Sequence, residues 1–157
     1  MRALLAASAL LIVLFAPTGA AILPAACGEG NATSASNFAW TPGCIRLFTG
    51  EVLTFSGASG THNARSSQDD LAILRAVAPV CFETPNFAPG QAASVRFVHD
   101  SHGVTASLRA PDGSWGPARD CALAVDPLLS TPTDASIPFE CGIHPTMTGR
   151  IVVVALG

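Results

Sequence analysis

The chain contains no lysine and no tyrosine, and only 12% of its residues carry charge. Its eight basic residues are therefore all arginines, set against eleven acids, for a net charge of −3 with histidines neutral. Scattered arginines in a mildly acidic chain do not make the clustered basic face that nucleic-acid binding requires, so that class of function is excluded. Long apolar runs are equally scarce. The one example, Ala3 to Ala16, is shorter than the ~20 residues a membrane-spanning helix needs. It follows Arg2 and leads into small residues, the layout of a secretory signal peptide cleaved near Ala20 or Ala21. A lipoprotein processed at Cys27 fits less well, because Leu23 stands one residue too far from that cysteine. The expected organisation is a signal peptide over 1–21 and a single domain over 22–157, with no membrane span once the leader is removed. The chain also lacks internal repeats and low-complexity linkers.

Cysteine is present in an odd number: Cys27, Cys44, Cys81, Cys121 and Cys141. In an exported chain an even set pairs, and the one left over is a reactive or ligating thiol. Only Cys141 has potential metal ligands beside it, so it is assigned as the free thiol and the other four to two disulfides. Of the possible pairings, Cys27–Cys44 with Cys81–Cys121 is preferred on chain proximity. Such bridges imply an oxidising compartment, periplasmic or extracellular. Asn31-Ala32-Thr33 matches a glycosylation sequon, which has meaning only in a eukaryotic secretory pathway.

Sustained helical periodicity is nearly absent. Short runs of β-branched and apolar residues recur instead, at 44–48 (CIRLF), 51–57 (EVLTFSG), 94–98 (SVRFV), 104–110 (VTASLRA) and 150–156 (RIVVVAL). Glycine, proline, serine and aspartate separate them, and Ala110 to Gly116 (APDGSWG) has the chemistry of a hairpin turn. The expected fold is all-β, a sandwich or barrel. One helical insertion is expected over 66–78, with Ser67 as its cap, Asp69 and Asp70 in the first turn, and Leu71, Leu74 and Ala78 on one face. Pro127 to Pro138 reads as a loop leading into the last strand pair.

The stretch FECGIHPTMTGRIVVV, from Phe139 to Val154, is where chemistry concentrates. Cys141, His144 and Met147 stand three residues apart, and Met147 is the only methionine after Met1. Thiolate, imidazole and thioether together suit copper in both Cu(I) and Cu(II) states. A blue-copper site takes one cysteine and two histidines in a near-trigonal plane, with a long axial methionine. One tight loop can supply three of these donors. The second histidine has to arrive from elsewhere in the fold.

The loop CGIHPTMTGRIVVV resembles the ligand loop of the cupredoxins, the plastocyanin and amicyanin type in particular. Their pattern runs Cys-x-x-His, a short spacer, then Met-x-Gly-x-Val/Ile, and Met147, Gly149 and Ile151 complete it here. A second stretch, Phe38 to Ala64 (FAWTPGCIRLFTGEVLTFSGASGTHNA), is similar to the early strands of the same family, with a His-Asn pair at its end. The resemblance implies a Greek-key β-sandwich holding one copper ion, with His62 as the remaining equatorial ligand. It further implies that Asn63 lies behind the ligands and hydrogen-bonds toward the Cys141 sulfur. His102 is the alternative first ligand. It too follows a Val-x-Phe strand, together with His99, and lies nearer Cys141 along the chain, at a separation close to that of small cupredoxins. Choosing His62 requires an insertion that would contain the helix-like stretch, Cys81 and Cys121. The aromatic-Pro-strand-Gly entry precedes His62 and not His102, which favours His62. The chain departs from the family in its lack of tyrosine, its long middle region and the Phe139-Glu140 pair before the ligand cysteine.

A mononuclear site of this kind has no open position for substrate, so the expected role is a one-electron carrier and not an enzyme. Redox partners would dock transiently near His144, which sits among uncharged residues, and a monomer is expected. Two alternatives remain: copper delivery, buffering or sensing without a carrier role, and a structural or adhesive sandwich. Four histidines are too few for an enzyme with further copper centres, and a single loop cysteine excludes a thiolate-bridged pair of coppers.

Overall fold

The computed structural model describes residues 27–67, 80–121 and 134–156. In chain order its strands are β1 (Gly28–Glu29), β2 (Ala32–Ser36), β3 (Ala39–Thr41), β4 (Cys44–Phe48), β5 (Val52–Gly57) and β6 (Arg65–Ser66). They continue as β7 (Ala92–Asp100), β8 (Gly103–Leu108), β9 (Arg119–Asp120), β10 (Asp134–Glu140) and β11 (Thr148–Val154). One sheet runs β1-β4-β11-β10-β6, the other β3-β2-β5-β7-β8-β9. The described residues contain no helix. The fold is thus an all-β, two-sheet sandwich with two disulfides. The expected signal peptide lies outside the described residues, as does the expected helix beyond Ser67; Ser66, at its proposed start, belongs to β6.

Alternation explains the strands. In β4, Ile45 and Leu47 point inward while Arg46 and Phe48 face out. Leu53 and Phe55 of β5 and Val95 and Phe97 of β7 do the same from the opposite sheet, and all six inward side chains are fully buried. Ile45 lies opposite Ile151 and Leu47 opposite Val153, so the parallel pair β4–β11 presents a continuous apolar face. The expected strands at 44–48, 51–57, 94–98, 104–110 and 150–156 are present within a few residues at each end. The turn at 110–116 closes with Gly113 N donating to Ala110 O at 2.9 Å.

The loop expected over 127–138 is corrected in its second half, where Asp134 to Pro138 form most of β10. Turn-type residues concealed a strand that lies between two others: every residue from Ala135 to Glu140 is buried, Ser136 and Pro138 included, and the whole strand pairs antiparallel with β11. Arg46 neutralises Asp134 at 3.2 Å.

Both disulfides pair as preferred, Cys27–Cys44 and Cys81–Cys121, with Cα separations of 4.7 and 4.8 Å. The second fastens a strap, residues 80–89, that lies along the segment 62–66. His62 N donates to Phe87 O (3.0 Å), Phe87 N to His62 O (2.8 Å), Thr84 N to Ala64 O (2.8 Å) and Ser66 N to Phe82 O (3.0 Å). The strap also delivers Phe82 and Phe87 to the core. There Phe82 stacks on Phe55 (5.7 Å between ring centres), and Trp40, Phe55 and Phe139 meet pairwise at 5.3–5.7 Å. This aromatic cluster forms the floor beneath the end of the sandwich where His62 emerges.

Gly149 lets β11 pass over that floor. A Cβ there would collide with the Phe139 ring and stand 2.8 Å from Gly43 O. Gly149→Ala should therefore cost about 1–3 kcal/mol of stability through overpacking. Urea denaturation at constant m-value would measure it, and a loss under about 0.5 kcal/mol would mean that the ring yields freely.

Candidate metal centre

The loop between β10 and β11 is a compact double turn. Cys141 N donates to Met147 O (2.9 Å), His144 N to Cys141 O (3.1 Å) and Met147 N to His144 O (2.9 Å). These bonds satisfy the backbone internally and direct Cys141 and Met147 inward, with 0% and 1% of their surface exposed. Trp40 anchors the loop from below, its indole N–H donating to Met147 O at 3.2 Å.

His62 arrives from the segment after β5 and is 3% exposed. Its Nε2 lies 2.7 Å from Ser59 O. A carbonyl only accepts, so Nε2 carries the proton and Nδ1 keeps its lone pair. That Nδ1 faces Cys141 Sγ at 3.7 Å, and Nδ1 of half-buried His144 faces the same sulfur at 3.6 Å. The ligand atoms of His62, Cys141 and His144 all lie within 4.8 Å of one another. Metal bonds of about 2.0–2.3 Å to imidazole nitrogen and thiolate sulfur place such donors about 3.6–3.8 Å apart. The observed nitrogen–sulfur spacings match, and two imidazoles with one thiolate suit a single copper ion.

Asn63, 6% exposed, brings Oδ1 to 3.7 Å from the same sulfur, where the protonated thiol donates to it. A half-turn of the amide offers Nδ2 to a thiolate instead. Gly142 makes room for this side chain: a Cβ at 142 would stand 3.1 Å from both amide heteroatoms.

The structure brings His62, Asn63, Cys141 and His144 together, and buries Met147 in the adjoining core. His102 and His99 lie elsewhere. β7 begins beside Gly57 and ends at Asp100, so His99 and His102 occupy the opposite end of the sandwich. His99 Nδ1 is 3.3 Å from Val153 O, and His102 sits exposed in the β7–β8 turn, its backbone N donating to Asp100 Oδ1 (2.8 Å). The shorter separation along the chain that pointed to His102 does not bring it near Cys141, because β7 carries it to the far end, while residues 80–89 of the longer connection pack along the segment that bears His62.

Several contributors have no local signature in the sequence. Ser59 acts through its carbonyl, which any residue could supply. Phe38 meets the His144 ring edge-on at 5.0 Å. Arg65 donates to Glu140 Oε1 from Nε (2.9 Å) and Nη2 (2.6 Å), a pair formed because β6 adds to β10. Glu140 is thereby neutralised next to Cys141, its side chain only 8% exposed.

No protein-family model and no curated protein matches the chain. Among solved structures it is similar to a reduced amicyanin mutant, with 14% identity over 78% of this chain and 79% of that one and a TM-score of 0.46. It is also similar to a novel purple cupredoxin from Nitrosopumilus maritimus, with 12% identity over 79% and 99% and a TM-score of 0.43. A third match is a Cu-containing nitrite reductase from Thermus scotoductus, with 15% identity over 78% of this chain but 21% of that one and a TM-score of 0.44. The chemistry of the site is carried by its own residues.

The Arg65–Glu140 pair generates a test. Arg65→Met leaves a buried carboxylate without its partner and should cost about 1–3 kcal/mol at neutral pH. The figure is below that of a fully buried pair because the arginine is 35% exposed. Adding Glu140→Gln should recover most of the loss, and a double-mutant cycle by chemical denaturation would reveal any failure to do so.

Proposed function

We propose that the protein is an exported, mononuclear blue (type 1) copper protein that carries one electron at a time between redox partners. The observation that carries this reading is the pair of Nδ1 atoms held 3.6–3.7 Å from one buried sulfur. In this reading His62, Cys141 and His144 would hold the ion, Met147 would supply a weaker fourth donor, and Asn63 would tune the sulfur from behind. Bound copper supplies a Cu(I)/Cu(II) couple. The chain's part is to keep the donors still: the Ser59 carbonyl fixes the His62 ring, the double turn fixes Cys141, and the aromatic floor supports both. A frame that alters little between oxidation states lowers the rearrangement accompanying each electron, the property a carrier needs.

The surface supports the same reading. His144 reaches the rim beside exposed Phe38 (67%) and Ile143 (43%). A groove of about 420 Å³ opens between them, lined also by Asn37, Ser59, Gly60, Thr61 and His62, with no charged group among its walls. A small, uncharged rim around an imidazole suits brief encounters with protein partners. Three strong ligands leave no open equatorial position for substrate, so catalytic turnover forms no part of the proposal. The two disulfides accord with export to a periplasmic or extracellular space; residues 1–21 as a leader and a monomeric working unit are part of the same proposal.

The decisive experiment is a visible and EPR spectrum of the mature protein with one equivalent of Cu(II). An intense thiolate-to-copper band is expected. Cys141→Ser and His62→Ala should abolish it, while His102→Ala should leave it intact. A pale Cu(II) signal indifferent to Cys141→Ser would overturn the carrier reading and favour copper delivery or buffering.

A further inference from the structure

The β2–β3 hairpin ends in a two-residue turn, Asn37-Phe38, closed by the Ser36–Ala39 pair. Both central residues have positive φ, 49° and 61°. This conformation gives a hairpin the right twist, and asparagine followed by glycine is its usual occupant. Asparagine stands first here, but phenylalanine stands second. A Cβ makes the left-handed region unfavourable, and a ring that is 67% exposed gains little from burial. Local energetics therefore oppose Phe38 twice, by backbone conformation and by exposure.

What the ring touches is His144, edge-on, with centroids 5.0 Å apart and planes at 80°. The two histidines are held differently. His62 is buried, and its Nε2 is fixed by Ser59 O at 2.7 Å. No hydrogen bond to a described residue reaches Nε2 of His144, which stands half-exposed on the loop. The turn is itself tied to the segment that leads to His62, since Asn37 N donates to Ser59 Oγ at 3.3 Å. Ser59 thus orients one imidazole through its carbonyl and anchors, through its hydroxyl, the turn that bears on the other.

We propose that Phe38 is a positioning residue for the metal centre: its ring, held at the tip of a strained turn, bears edge-on on His144 and restrains that imidazole in its ligating orientation. This inference rests on the copper reading above. It assigns to the hairpin tip a role in retaining the ion, at the expense of fold stability.

The two effects have opposite signs in one variant, which makes the inference testable. Phe38→Gly relieves the backbone strain, so the melting temperature of the metal-free protein should rise, by about 2–5 °C. The same variant should release Cu(II) to a chelator about three- to tenfold faster in stopped-flow experiments, because the edge-on contact is gone. Phe38→Trp, which retains an aromatic edge, should restore slow release while keeping the lower melting temperature. In the metal-free protein, NMR of the His144 ring should show one restrained orientation in the wild type and averaging in Phe38→Gly. A raised melting temperature with unchanged copper release and unchanged ring order would overturn the proposal. So would a lowered melting temperature, since Phe38 would then be ordinary packing. Failure of the copper reading is distinguishable, because it would appear as a wild-type protein without a thiolate-to-copper band.

Discussion

The sulfur of Cys141 is the constraint around which this molecule is arranged. It is fully buried, yet two imidazole nitrogens and an amide face it at 3.6–3.7 Å. A thiol is a weak donor and cannot satisfy three polar neighbours, and a thiolate is costly to bury without a positive partner. A metal cation among these donors would balance the arrangement. Each supporting element follows from keeping these groups together at one end of a sandwich: the closed loop between β10 and β11, the strap that holds His62 by two backbone bonds, and the glycines at 142 and 149 that make way for Asn63 and Phe139.

The frame is firm on one side and open on the other. His62 lies against the strap, the Ser59 carbonyl and the aromatic floor. His144 lies half-buried at the rim, its Nδ1 toward Cys141 Sγ and its ring between His62 (5.0 Å) and the exposed Phe38 edge. In the proposed carrier role that asymmetry would have a use: the inner ligand and the sulfur would define the geometry, while the outer ligand would be the one to meet a partner. The neutral pair Arg65–Glu140 completes the inner side. It removes a net charge from beside the sulfur and fastens β6 to β10, whose last residue leads directly into the ligand loop.

Much of this is legible in the sequence. Strands such as β4 and β7 announce themselves because a half-buried strand must alternate, and Ile45, Leu47, Val95 and Phe97 do so openly. β10 did not, because aspartate, serine and proline occupied its alternate positions and resembled a loop. The pairing of the four disulfide cysteines followed from the oddness of Cys141 and the nearness of the others in the chain. The strap was visible only as surplus length, since its bonds are between backbone groups that carry no side-chain signature.

By itself, the sequence determined the chemistry: one spare cysteine, a histidine and the sole internal methionine within a single loop, a set that names a soft metal from donor type alone. Tertiary structure decided which donors share a centre. Two histidines follow similar strands, and only strand direction separates them: β5 runs toward the ligand loop and β7 away from it, so His62 arrives at Cys141 while His102 is carried to the far end. The partners of that centre, Ser59 through its carbonyl, Trp40 across 107 residues and Glu140 through Arg65 across 75, were likewise set by topology. Donor chemistry is local to a side chain, whereas convergence depends on how distant segments cross in space.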